Sequence, residues 1–384
     1  MKLALVHDYL IQDGGAERVL QVFHEIWPQA PVFALLHDKE KFGAQLRGLD
    51  VRTSFLQKIP FSLKRYKWLM PLMPVATERY DLSEFDVVIT STSAFAKGII
   101  TRPDTLHICY CHTPTRYLWS DTHSYIKELG LPGPVRAIMP LMLTNIRIWD
   151  RLAADRVDRF VANSAAVRHR ISKYYQRDSE VIHPPVETGR YGISEKIDDY
   201  YIAGGRMVAY KRFDVVVRAF NKLGIPLKIF GEGPELQSLR NEAKKNIEFV
   251  GRISERDKAE LYSRAIAYLH PQEEDFGITA VEAMSAGRPV IAYAKGGALE
   301  TVVDGVTGTF IEEQSWEELA NCIIRFAPEN YDPMRIRAHA RQFDVEEFKR
   351  KMSAFVRAEW LRRHDRSLRE GQSVESKMTA ATAG

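Results

Sequence analysis

Short apolar runs recur along this chain, each closing on a small or polar residue and followed by a stretch with helical spacing. Runs at Leu3–His7, Val87–Thr90, Leu106–Cys111, Arg159–Ala162, Tyr200–Ala203, Leu227–Phe230, Ile247–Val250, Ala265–Leu269 and Pro289–Tyr293 read as strands. Their hydrophobicity is continuous rather than alternating, which predicts strands covered on both faces. Between them lie helical patterns. In AERVLQVFHEIW, for example, Val19, Leu20, Phe23 and Ile26 share one face. Strands alternating with helices predict parallel sheets joined by right-handed crossovers, an α/β fold.

The 384 residues are too many for one compact core, so two domains are expected. Paired prolines in His183-Pro184-Pro185-Val186 forbid helix and stiffen the chain there. The pattern then restarts, dividing the chain into residues 1–185 and 186–344. Ligands of such sheets bind at the carboxyl ends of strands, so two facing units would hold their site in a cleft. The polar residues 364–384 read as a disordered tail.

Composition narrows the function classes. Hydrophobic residues make up 45% and charged residues 27%, the balance of a globular protein, and a net charge of +4 gives no electrostatic case for nucleic acid. Cys109, Cys111 and Cys322 supply no disulfide framework and fit a reducing, cytoplasmic compartment. Cys109-x-Cys111 is half a metal site at most, and two small residues in a buried strand account for it as well. The N-terminus lacks a signal-peptide core, and no run of about 18 apolar residues is present to span a bilayer. Residues 55–74, FLQKIPFSLKRYKWLMPLMP, interleave Lys58, Lys64, Arg65 and Lys67 with aromatic and aliphatic side chains. That mixture fits either an interfacial patch on anionic lipid or a helix pair whose apolar sides face the core.

The richest candidate chemistry lies in EDFGITAVE, Glu274 to Glu282. The Phe276-Gly277 step places Glu274 on a loop and Glu282 in the helix that follows. The amides of Gly277 and Ile278, with the helix dipole, would then lie between two carboxylates. A ligand anionic in its middle and rich in hydroxyls at both ends suits that layout, as a sugar nucleotide does. Gly296-Gly297 and Glu300 follow the next strand. Arg206 and Lys211, after Gly204-Gly205, offer a planar fork and a mobile point charge for a diphosphate, or are surface charges. Gly14-Gly15 after the first strand lets backbone approach a phosphate, or is a tight packing turn. His112 ends a strand before Thr113-Pro114 and could donate to a sugar hydroxyl, or be structural. His7, His183 and His270 also end strands. G-x-G-x-x-G and GK[ST] motifs are both absent, which argues against a dehydrogenase or an ordinary ATPase. No Asp-x-Asp pair occurs, so no carboxylate clamp for a divalent ion is expected.

Taken in order, VHDYLIQDGGAERVL, CHTPTRYLW, RFVANSAAVRHRISKYY, AGGRMVAYKRFD, IFGEGPELQSL, FVGRISERDKAELY and the Glu274–Glu282 stretch resemble family 4 of the retaining glycosyltransferases. The likeness covers nearly the whole chain. It implies the GT-B fold, two Rossmann-like domains across a deep cleft, with the nucleotide bound by the C-terminal domain. By the same resemblance Glu282 would hold ribose, Glu274 the transferred sugar, and Arg206 with Lys211 the diphosphate. Gly15 would lie by the phosphates and His112 near the sugar. A C-terminal helix, roughly 345–363, would cross back onto the first domain.

The CHTPTRYLW style is similar to bacterial mannosyl- and rhamnosyltransferases of O-antigen and exopolysaccharide assembly, which implies a GDP-sugar ahead of a UDP-sugar. The acceptor would then be a saccharide, free or on a polyprenyl diphosphate, handled in the cytoplasm or on the inner face of its membrane. One departure is that Val208-Ala209-Tyr210 precedes Lys211 where many relatives have Pro-Glu-Lys. The expected chemistry is front-face transfer with retention and without a metal. A nucleotide-sugar epimerase of the same fold and a non-catalytic subunit of a polysaccharide-assembly complex are the alternatives.

Overall fold

The structure, a computed structural model, describes residues 1–12, 14–42, 48–123, 126 and 133–382, the side chains of 42, 134–136 and 366–382 excepted. They form two compact units. The first comprises Met1–Asn163, Val167–Ile182 and Lys349–Gly384, and the second Ser164–Ala166 and His183–Phe348.

The first unit is built on seven parallel strands: β1 (Leu3–His7), β2 (Val32–Ala34), β3 (Val51–Thr53), β4 (Val87–Thr92), β5 (Leu106–Cys111), β6 (Arg159–Ala162) and β7 (Ser179–Val181). Their order is β3-β2-β1-β4-β5-β6-β7. Every residue of β1, β4 and β5 is buried, which is why these runs carry no polar alternation. The second unit has six: β8 (Tyr201–Gly204), β9 (Leu227–Phe230), β10 (Ile247–Gly251), β11 (Tyr268–His270), β12 (Val290–Tyr293) and β13 (Gly308–Ile311). Their order is β10-β9-β8-β11-β12-β13, all pairs parallel.

Both sheets are doubly wound. The chain steps outward from β1 to β3, then returns to the other side of β1 at β4; it does the same from β8 to β10 and back at β11. The gaps between β1 and β4 and between β8 and β11 are therefore the switch points at which ligands of such sheets bind. Alternate residues of β8 and β12 face opposite sides. Ile202, Val290 and Ala292 join one core cluster, and Tyr201, Ala203, Ile291 and Tyr293 the other. Helix Phe213–Leu223 seals the second cluster with Phe213, Val216, Val217 and Phe220, each contributing about 1.5–3 kcal/mol by burial.

Four strands were not expected from the pattern: β2, β3, β7 and β13. Three of them are only three residues long, and β3, β7 and β13 are edge strands; β3 (VRT) and β7 (SEV) carry no fully buried residue. At a sheet edge a strand can be short and only partly covered, and these carry no apolar run long enough to read. β11 starts at Tyr268 rather than at Ala265, because Ala265 caps helix Glu255–Arg264 through its N–H to Tyr262 O. The last helix runs from Val345 to Thr382, across the polar residues where composition pointed to a disordered tail. Arg, Glu, Lys, Met and Ala hold a helix by backbone propensity without an apolar face.

Candidate active site

Arg206, Lys211, Glu274, Phe276, Gly277, Ile278 and Glu282 all lie in the second unit, and Gly14, Gly15 and His112 in the first. β11 ends at His270, and the loop after it runs to Gly277. That glycine adopts φ 91°, ψ 59°, a left-handed conformation that lets it cap helix Ile278–Ser285. Gly296 and Gly297 form the floor beneath this loop. A Cβ on Gly296 would sit 2.3 Å from the Glu274 carbonyl oxygen, and one on Gly297 2.3 Å from Phe276 Cα. The Gly297 N–H donates to the same Glu274 carbonyl at 2.8 Å. The glycine pair thus fixes the height of the Glu274 backbone.

The switch point brings the end of β8 beside this loop. Lys211 Nζ, on the turn Ala209–Lys211, lies 2.8 Å from Glu274 Oε1, with the two side chains 12% and 18% exposed. Burial works against both charges and each partner overcomes it. Lys211 is held above its ordinary value by Glu274, and Glu274 below its own by Lys211 and His270. Gln272 Nε2 donates weakly to Glu274 Oε1 at 3.5 Å and lies 3.1 Å from His270 Nδ1. Burial pulls His270 down to about 4, so its imidazole is neutral at pH 7. Arg206 is exposed, close enough for its charge to act on Lys211. The result is a cationic edge beside one pinned carboxylate.

Glu282 belongs to a separate network. It is 1% exposed, with Oε1 3.0 Å from Lys258 Nζ and Oε2 3.5 Å from Tyr262 OH. Lys258 also meets Glu255 at 3.0 Å. The sequence reading missed Lys258, although Lys258 and Tyr262 are four apart on one buried helix face, a spacing that pairs them. It also missed Gln272. Phe276, expected beside the donor, instead packs inward at 3% exposure. Its ring stacks on His183 with centroids 5.4 Å apart and meets Phe343 edge-on, so only its backbone belongs to the loop. The aromatic is there because a loop held at fixed height needs an anchor. His183 Nε2 lies 3.1 Å from Glu300, which is held below its ordinary value: burial opposes this, and hydrogen bonds from His183 and the Ala165 and Ala166 amides outweigh it.

In the first unit the switch point is filled by the chain itself. Asp8, just past β1, accepts from four successive amides, Ser93, Ala94, Phe95 and Ala96, at 2.6–2.9 Å, and from Thr92 Oγ1 at 3.0 Å. A concave run of amides is an anion cradle, here occupied by a side-chain carboxylate. Gly14 caps helix Gly15–Ile26, and a Cβ there would come 2.9 Å from Glu17 Oε2. The Glu17 carboxylate therefore stands beside the glycine turn, buried and 4.0 Å from His7 Nε2. His112 Nε2 lies 2.8 Å from Ser91 Oγ, which in turn lies 3.1 Å from His7 Nδ1. The hydroxyl can donate its proton to only one ring and must accept an N–H from the other, so their tautomers are coupled. Burial, then the nearby His7, takes His112 down to about 3. It is a neutral imidazole across the physiological range.

Residues 14–190 match the family model described as Glycosyltransferase Family 4, and residues 193–343 match that described as Glycosyl transferases group 1. The chain thus has a GT-B fold, two Rossmann-like domains that each match a glycosyltransferase family model. The Anabaena HepE structure in complex with UDP is similar over 93% of this chain and 100% of that one, at 19% identity and a TM-score of 0.69. Sucrose-phosphate synthase of Thermosynechococcus elongatus is similar over 94% and 100%, at 16% and 0.68. At these identities the likeness is one of fold. Among curated relatives, D-inositol 3-phosphate glycosyltransferase of Mycobacterium tuberculosis is 28% identical over 50% of this chain and 46% of its own. The chain spans about half the length of the curated relatives it matches.

Proposed function

We propose that this glycosyltransferase moves a hexose, mannose or a related sugar, from a nucleotide sugar to a saccharide acceptor in cell-surface polysaccharide synthesis, with retention at the anomeric carbon. The acceptor is a saccharide carried on a lipid. A GDP-sugar is the first-choice donor. UDP-sugars are the competing class, since HepE structures hold UDP and UDP-glucose.

The observation that carries this reading is the Lys211–Glu274 pair at the β8/β11 switch point, at the mouth of helix Ile278–Ser285. An ammonium has three donors, so Lys211 can keep Glu274 and still bind a phosphate oxygen. With Arg206 and the Gly277 and Ile278 amides it neutralises the diphosphate as the glycosidic bond to phosphate breaks. Glu274, kept ionised by Lys211, accepts from the sugar hydroxyls, and Glu282 from ribose. His112, neutral, hydrogen-bonds a sugar hydroxyl without adding charge, and Gly15 lends backbone N–H near the phosphates. The acceptor oxygen forms its bond on the face the diphosphate leaves, and the diphosphate takes the acceptor proton. No enzyme-bound sugar is needed, and the charge is met without a metal.

A thermal-shift panel of GDP-, UDP- and ADP-sugars tests the donor, because a ligand of the native state raises its melting temperature. GDP-mannose should stabilise most. Stabilisation by UDP-sugars alone would move the base, and none by any nucleotide sugar would overturn the reading. Proton NMR of the product then reports the anomer, and inversion would refute retention.

A further inference from the structure

Residues 55–74 neither form a closed helix pair nor lie wholly on the surface. Leu56, Met70 and Met73 enter a core cluster, while Phe61, Trp68, Leu72 and Val75 remain 71, 62, 44 and 51% exposed. Phe61 is turned outward from a backbone at φ 61°, a conformation that bulky side chains avoid. Lys58, Lys64, Arg65 and Lys67 are exposed around these side chains, and among the described residues none of the four is in an ion pair.

Helix Gly133–Asp155 packs on the same cluster through Met139, Leu143 and Ile146. Its opposite face carries Ile138, Leu141, Ile148 and Leu152, which are 56–66% exposed. With Asn145 between them, their spacings of three and four residues make one straight stripe along the helix. The two elements thus lie on one cluster, each with apolar side chains left in water. A monomeric surface seldom leaves such patches without a use.

Charge says what covers them. Residues 55–77 contain four basic residues and no Asp or Glu, in a chain whose whole net charge is +4. Aromatic and aliphatic side chains ringed by unopposed lysine and arginine match the boundary of an anionic bilayer, where rings and methyls enter the headgroup layer and cations meet phosphate. A second copy would cover the apolar stripe but, presenting the same cations, would leave them unanswered.

We propose that segment 55–75 and the outer stripe of helix Gly133–Asp155 together form a docking surface for anionic lipid, with Trp68, Phe61, Leu141 and Ile148 inserting. The surface extends the lipid-carried acceptor of the reading above, but its test uses neither donor nor acceptor, so each can fail alone. Full-length protein is floated with vesicles of phosphatidylcholine and with vesicles containing 30% phosphatidylglycerol. Binding should require the anionic lipid and weaken with salt. Lys64→Ala with Arg65→Ala should weaken it roughly 25-fold, at about fivefold per basic side chain. Leu141→Asp with Ile148→Asp should weaken it at least as much, with an unchanged melting temperature and donor response. Binding equal to wild type by the stripe variant, or none by the wild type, overturns the proposal. So does a dimer that the stripe variant dissociates while vesicle binding persists, since the stripe then belongs to a second copy.

Discussion

Replacing Lys211 by Met removes the ammonium 2.8 Å from Glu274 while keeping the apolar stem. Two consequences have different sizes. For the reaction, a preorganised cation at the departing diphosphate is worth about 10²–10³ in kcat. For the fold, breaking a buried pair costs about 3–5 kcal/mol; exposures of 12% and 18% point to the lower figure, about 3. At about 2–4 °C per kcal/mol for a unit of this size, the melting temperature should fall by about 6–12 °C. In the wild type Glu274 is held below its ordinary 4.5, so it stabilises the fold above that pH and loses this as pH falls through its lowered value. In Lys211→Met burial is no longer outweighed by the lysine. The carboxyl rises above 4.5, and the variant regains stability relative to wild type on acidification from pH 7 to 5. Lys211→Met with Glu274→Gln should restore most of the melting temperature but none of the turnover. Measured by calorimetry and initial rates, a kcat within tenfold of wild type would refute the phosphate role. A double variant no more stable than the single one would refute the pairing argument.

Glu282→Gln removes a carboxylate hydrogen bond, worth about 1.5–3 kcal/mol, so donor Kd by titration calorimetry should rise about 10–150-fold; an unchanged Kd would take Glu282 away from the ribose. Gly296→Ala would place a Cβ 2.3 Å from the Glu274 carbonyl at φ 62° and so push the 274–276 loop outward. Turnover should drop more than tenfold with vesicle binding intact, and full turnover would show that the loop height is irrelevant. Burial takes His107 and His270 to about 4 and His112 to about 3, against an ordinary 6.5. Each unfolded chain binds protons that its folded state refuses, so stability is complete above pH 6.5 and falls below it by about 1.4 kcal/mol per pH unit per histidine. Two of the three lie in the first unit. Burial lowers His24 and His37 there as well, so in urea at pH 7 and 5.5 its transition should move at least twice as far as the second unit's, and equal shifts would contradict the burial argument.

Most interior strands were legible because parallel strands covered on both faces must be apolar throughout; β2, interior and buried, is only three residues long and too short to stand out. β3, β7 and β13, at sheet edges, were not, since one open side releases them from that rule. The Lys211–Glu274 contact spans 63 positions, and nothing local in either segment encodes it. Strand order does, by returning β11 to the side of β8. Asp8 offered a readable hint, a charge directly after a wholly apolar strand, yet only the fold reveals that its partners are the amides of 93–96. Buried charge hubs leave no pattern at all. Asp150, which takes Lys97, Thr115, Trp119 and Tyr175, looks in the sequence like any helical acid. Phe276 was misread for a related reason: a residue flanked by functional neighbours on a loop can serve as that loop's anchor.

The first unit is discontinuous: Lys349 onward belongs to it, after the whole second unit has intervened. Met352 and Val356 are buried there, Glu359 accepts from Arg159 at 2.8 Å, and Arg363 lies 3.1 Å from Asp158. On the ribosome the second unit is therefore made, and free to fold, while the first still lacks its last helix and exposes the groove that Met352 and Val356 will close. A chain stopped just after residue 348 would carry a complete second unit beside an unfinished neighbour, and that neighbour is where chaperone capture and proteolysis would begin.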